Sequence, residues 1–224
     1  MTANNQAGHL IECDVCVIGA GSAGLSAASG AAQLGAKVVL IERGAMGGDC
    51  LNTGCVPSKS LIAAAHTAYA FKAAMAMGVG EGLAPKVDFQ AVHDHVHAVI
   101  GAIAPNDSVE RFEGMGITVL KESASFVSPT EVVAGNHRIT ARRFVVATGS
   151  RASLPPIPGL AACKPLTNET IFELTTRPDH LLILGGGPIG LEMAQAFRRL
   201  GSDVTVVDAG EILGKDEPEA APLI

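Results

Sequence analysis

The chain has 224 residues, enough for one large domain or two small ones. With 16 Lys and Arg against 22 Asp and Glu, its net charge of −6 argues against a nucleic-acid partner held on a basic surface. Hydrophobic residues make up 48%, yet there is no Trp, one Tyr and 26 Gly, which suits closely packed strand–helix units better than an aromatic-rich all-β core.

Residues 1–14 contain neither a basic region nor a leading apolar stretch, so no signal peptide is expected. Residues 15–36 hold no charge, but five glycines, three serines and Gln33 argue against a membrane span. No membrane partner and a cytoplasmic location are therefore expected. The strand-like residues 14–18 lead into Gly19-Ala-Gly-Ser-Ala-Gly24, a small-residue helix to Gly35, and a second strand over 37–41 that ends at Glu42. In that context GxGxxG predicts a dinucleotide site. Gly19, Gly21 and Gly24 permit the tight turn and backbone approach to a pyrophosphate, and Glu42 accepts from ribose hydroxyls.

Residues 47–59 read GGDCLNTGCVPSK. Five cysteines, an odd number without regular spacing, do not form a secreted disulfide framework, so Cys50 and Cys55 need another reading. On an ideal helix they would lie roughly 8.7 Å apart at Cα. A disulfide wants about 7 Å or less. A redox bridge therefore needs a distorted turn, for which Gly54 and Pro57 are suited. A zinc site would need two further ligands. Cys13 and Cys16 are the obvious supplement, but an offset of three on a strand predicts opposite faces, so they are read, with Cys163, as small apolar residues.

Residues 60–78 are Ala-rich and predicted helical. A further helix is expected from Asp88, with Phe89, Val92, Val96, Val99 and Ile103 at helical spacing. On it His93 and His97 share a face, but no carboxylate pattern completes a metal site, so the HDHVH segment is read as a solvated edge and no metal ligands are assigned. Residues 116–120 predict a short strand, and 130–133 with 138–140 a hairpin around Gly135-Asn136. Residues 143–150 predict a buried strand ending in the Ala147-Thr148-Gly149 turn, with Arg142 and Arg143 as its solvated entry. The prolines at 155, 156 and 158 mark an ordered crossing linker.

The first pattern then returns. A strand over 181–184 precedes Gly185-Gly-Gly-Pro-Ile-Gly190, and a strand over 204–207 ends at Asp208. Gly19 to Gly185 and Glu42 to Asp208 are the same step of 166 residues (185 − 19 and 208 − 42). The fold class expected is α/β, with two Rossmann-like dinucleotide-binding units, the second incomplete. Gly185, Gly187, Gly190 and Asp208 serve the second nucleotide. An acid at 208 accepts from a free 2′-hydroxyl and repels a 2′-phosphate, so NADH is favoured over NADPH.

Two GxGxxG units, the CxxxxC segment and the Ala147–Gly149 turn together resemble the flavoprotein pyridine nucleotide–disulfide oxidoreductases over residues 12–214. The resemblance implies FAD on the first unit (residues 1–152, including Gly48 and the Ala147-Thr148-Gly149 turn), a crossing over 153–178 and NAD on 179–224. It implies that Cys55 faces the flavin, Cys50 exchanges with substrate, and Lys59 pairs with Glu192 beside the ring. The member it resembles most is dihydrolipoamide dehydrogenase, with a mercuric reductase-like enzyme second and a non-catalytic nucleotide-binding fragment third. The substrate is a small disulfide, dithiol or metal ion. Asp49 departs from the usual threonine, and Ser58 stands where glutathione reductases often carry lysine. The family's later interface domain, with its His–Glu pair, has no counterpart here. The chain is therefore expected to be an N-terminal half, weak in FAD binding and inactive alone, of a full-length homodimer.

Overall fold

The computed structural model describes residues 9–80, 86–214 and 219. The NAD-binding part expected over 179–224 ends in residues that lie mostly outside them, 215–218 and 220–224. The chain packs into two compact units, one of residues 1–54 and 100–165, the other of 55–99 and 166–224.

The first unit is built on a six-stranded sheet. Its strands are β1 (His9–Ile18), β2 (Val38–Ile41), β3 (Thr118–Leu120), β4 (Ala124–Ser128), β5 (Glu131–Ala134) and β6 (His137–Val146), in the order β3-β2-β1-β6-β5-β4. The four from β3 to β6 in that order are parallel, and the β4–β5–β6 edge is antiparallel. All four β2 residues are buried, as an apolar run between two neighbouring strands requires. Helices α1 (Ser22–Gln33) and α5 (Val109–Gly114) cover one face, where Leu25, Ala28 and Phe112 pack with Val17, Val38 and Leu40. Ser108 caps α5, its Oγ accepting from Arg111 N at 3.2 Å.

Three expectations need correction here. The hairpin strand over 138–140 and the strand over 143–150 are one ten-residue strand, β6, which pairs with β5 at its start and with β1 throughout; its last four residues are only partly buried or exposed. Cys13 and Cys16 also do not point into opposite cores but enter the same buried cluster. The β1–β6 ladder is interrupted at Asp14 and Arg142, its one missing pair, where the two side chains form a 3.1 Å ion pair. Asp14 N and Val15 N there both donate to Lys37 O. Side-chain alternation holds only along a regular strand, and successive N–H groups bonded to one carbonyl mark an irregularity between Cys13 and Cys16. Burial pushes the Cys16 thiol up to about 12 and raises that of Cys13, so neither is disposed to act as a thiolate. Cys163 is exposed rather than packed.

The second unit contains α3 (Cys55–Ala76), most of α4 (Phe89–Ile103), the two-stranded parallel sheet of β7 (His180–Leu184) and β8 (Asp203–Val207), and α6 (Pro188–Leu200). Asp88 Oδ1 caps α4 by accepting from Ala91 N. Helix α6 starts with Pro188 after Gly187 and stops at Gly201, whose φ of 105° lets the chain leave the helix. Phe197, fully buried, meets Phe89 with ring centroids 5.8 Å apart. Leu182, Leu184, Ile189 and Val207 remain exposed on or beside the small sheet, the uncovered apolar surface expected of two strands. Among the described residues no helix is long and apolar enough to cross a membrane.

In reduced native protein at pH 8, a thiol with pKa about 12 is ionised in about one molecule in 10⁴. Iodoacetamide should therefore label Cys55 and Cys163 and spare Cys13 and Cys16 until denaturant is added, as read by peptide mass spectrometry.

Candidate functional site: two glycine turns and a cysteine segment

The first glycine turn sits at the carboxyl ends of β1, β2 and β6. Gly19 has φ of 104°, and a Cβ there would lie 2.2 Å from Ala147 O. A Cβ on Gly24 would lie 1.8 Å from Gly19 O, so α1 starts directly against the strand end. Gly21 is the N-cap of α1 and makes no side-chain cap, which leaves the helix N-terminus suited to an anion. Glu42 closes the turn: its Oε2 accepts from Ala20 N at 2.7 Å and its Oε1 from Gly44 N at 2.6 Å. Ala147 N donates to Ile18 O, which brings the Ala147-Thr148-Gly149 turn to the same strand ends, with Gly149 at φ of 68°.

The cysteine segment is fastened to this turn. Gly47 N donates to Ala20 O at 2.9 Å, and Gly48, at φ of 57°, lies so close to Gly21 that a Cβ would come within 2.5 Å of its Cα. Helix α2 (Gly48–Asn52) carries Cys50 from there. Asn52 Nδ2 donates to Met46 O and Gly48 O and so ties the loop. Gly47 and Asn52 were not among the expected site residues; their signal was the fixed GGxCLN spacing. Cys50 and Cys55 do not share a helix, because Thr53 and Gly54 break the path and α3 begins at Cys55. Gly54 is needed at the break, since a Cβ would be 2.8 Å from Asp49 O.

The second turn repeats the first bond for bond. Gly185 N donates to Val207 O at 2.8 Å, as Gly19 N does to Ile41 O. Asp208 Oδ2 accepts from Gly186 N at 2.6 Å and Oδ1 from Gly210 N at 2.8 Å. A Cβ on Gly190 would lie 2.1 Å from Gly185 O, and Gly187 caps α6 without a side-chain bond. Backbone N–H groups of Gly186, then Gly210, hold the Asp208 carboxyl below its ordinary 3.8, so it is anionic at any working pH. In the same unit Lys59 Nζ stands 2.8 Å from Glu192 Oε1, the pair joining α3 to α6. Both turns thus offer the close backbone approach and bare helix N-terminus that a dinucleotide pyrophosphate requires, and the residues fit FAD and NAD.

The model of the family described as "Pyridine nucleotide-disulphide oxidoreductase" matches residues 13–222. The chain belongs to that family. Members use FAD and NAD(P)H. A mercuric reductase of Streptomyces lividans is 37% identical over 211 residues, covering 92% of this chain and 44% of that protein. One from Bacillus cereus is 36% identical over 212 residues, covering 94% and 33%. The Cu(II) complex of the HOCl-induced flavoprotein disulfide reductase RclA from Escherichia coli superposes with TM-score 0.78 at 28% identity, covering 93% of this chain and 45% of that one. The chain thus spans a third to under a half of the length of these relatives.

In full-length protein carrying these residues, Gly48→Ala combines a left-handed φ with a backbone clash and should destabilise by about 1–3 kcal/mol or more while releasing flavin. Gly35→Ala, also at positive φ but with open space around it, should cost about 1–2 kcal/mol and keep flavin. Urea unfolding and bound-flavin absorbance of the two variants check the contrast.

Proposed function

We propose that this chain is the dinucleotide-binding part of a FAD-dependent oxidoreductase that moves an electron pair between NADH and the Cys50–Cys55 pair, with a metal ion of the mercuric class as its substrate. The observation that carries the reading is the contact of Gly48 on Gly21, which hangs the Cys50 helix from the first nucleotide turn. FAD, when bound, supplies the two-electron relay between a nicotinamide and a disulfide. Residues 1–152 would hold it, 153–178 would form the crossing and 179–224 would begin the NAD-binding part, in a cytoplasmic homodimer.

Each residue has a defined task in this reading. Gly19, Gly21, Gly24 and Gly48 admit the FAD pyrophosphate, Glu42 orients the ribose, and the Ala147–Gly149 turn adds a second contact. Gly185, Gly187 and Gly190 do the same for NADH. Cys55, first residue of the long helix α3, faces the flavin, while Cys50 exchanges with substrate. Lys59 and Glu192 fix local charge. With mercuric ion the balance is NADH + Hg²⁺ → NAD⁺ + Hg⁰ + H⁺; with a disulfide it is NADH + H⁺ + RSSR → NAD⁺ + 2 RSH. Both sequence relatives reported above are named for mercury and not for lipoamide, and this favours the metal-ion substrate over the dihydrolipoamide dehydrogenase reading.

Full-length protein carrying these residues, supplied with FAD and NADH, should oxidise NADH faster with Hg²⁺ than with lipoamide, and Cys50→Ser or Cys55→Ser should each bring the rate to background. Faster lipoamide turnover would overturn the substrate, and full activity of both variants would overturn the redox pair.

Asp208→Ala should weaken NADH binding roughly 10- to 150-fold, the loss of one charged hydrogen bond. Asp208→Arg should raise the use of NADPH relative to NADH. Steady-state KM values for both nucleotides read the change directly.

A further inference from the structure

His93 and His97 stand one turn apart on α4, their rings 4.2 Å apart at the centroids and tilted by 40°. The short 3₁₀ turn Ile171–Glu173 meets this face. Its Phe172 carbonyl lies 3.3 Å from His97 Nε2, and Glu173 Oε1 lies 3.7 Å from the same nitrogen. One ligand atom from each of His93, His97 and Glu173 falls within 4.8 Å of the other two. The carboxylate that the sequence did not offer is therefore supplied by a segment 76 residues beyond His97 (173 − 97).

We propose that His93, His97 and Glu173 form a binding site for a divalent transition-metal ion of the zinc class. Two imidazoles and one carboxylate, with a fourth position left for water, are a donor set for Zn²⁺, Co²⁺, Ni²⁺ or Cu²⁺ and not for the all-oxygen cations. His93 is oriented as a ligand should be. Its Nδ1 is bonded to Asp94 Oδ1 at 3.0 Å, and Asp94 in turn accepts from Gln90 Nε2 at 2.8 Å, which leaves Nε2 for an ion. The His93 ring is also fixed by packing, with only 17% of its side chain exposed, beside the small void lined by Leu61, Phe89 and Phe197. Glu173 is the mobile partner, 64% exposed. Metal–ligand bonds of about 2.0–2.2 Å put tetrahedral neighbours about 3.4 Å apart, so the cluster has to close by about 1.5 Å at most. Small side-chain rotations, of the exposed Glu173 above all, are on that scale.

Such an ion would clasp α4 to the 171–173 turn, two segments of one compact unit that no strand pairing joins. The site shares no residue with the cysteine pair or with either glycine turn, and it is independent of the function proposed above.

The test is a Co²⁺ titration of the full chain carrying Cys50→Ser and Cys55→Ser, followed by visible absorption and thermal unfolding. One equivalent of Co²⁺ should bind with ligand-field bands and no thiolate charge-transfer band, and Zn²⁺ should displace it. At 100 times the Kd, Tm should rise by about 5–10 °C. His97→Gln and Glu173→Gln should each weaken binding at least about tenfold, and Asp94→Asn about 10-fold through its hold on His93. Metal-free Tm values of the variants monitor the fold, and the exposed Glu173→Gln is the decisive one because it removes no packing. No stoichiometric binding, a thiolate band, or affinity unchanged in Glu173→Gln and His97→Gln would each overturn the proposal.

Discussion

The structure depends on an approach between a glycine Cα and a carbonyl oxygen that leaves no room for a Cβ. Gly24 against Gly19 O, and Gly190 against Gly185 O, let each helix begin on the end of its strand with nothing between them. The helix N-terminus then faces the crevice with its N–H groups bare, which is the physical basis of an anion site. The rest of the first unit is arranged around this contact. Ala147 packs on Gly19, Gly48 packs on Gly21, and the cysteine-bearing α2 follows from Gly48.

The acids at 42 and 208 have two tasks in the same place. Each spends an oxygen on the second residue of its glycine turn and the other on the N–H two residues further on. They lock the loops in which they sit, and the ribose contact proposed above would fall to their remaining lone pairs. A substitution there therefore disturbs loop geometry besides the nucleotide contact proposed for it. The Lys59–Glu192 pair is of another kind. It is exposed on both sides, and such pairs contribute only about 0–1 kcal/mol, so its importance lies in where it places two charges.

The duplication at 166 residues extends beyond motif letters to hydrogen bonds and register. Val15 pairs with Val38 as Leu181 pairs with Val204, and Ile18 with Ile41 as Leu184 with Val207. The copies differ in what surrounds them. The first has a six-stranded sheet with buried residues on both faces, whereas the second has two strands with several apolar side chains in solvent.

Much of this was legible in the residues because it rests on local sterics and periodicity. Glycine spacing, the acid at each strand end, the run of β2, the Asp88 cap and the breaking role of Gly54 follow from what neighbouring atoms along the chain allow. Four features were decided by tertiary structure alone. They are the fusion of two short predicted strands into β6, the irregularity at Asp14 between Cys13 and Cys16, which share one core, the seating of Gly48 on Gly21, and the arrival of Glu173 beside His93 and His97. Each joins or reorients segments through contacts between residues distant in the chain. Local pattern records which face a residue prefers; the folded packing determines which distant segment that face meets.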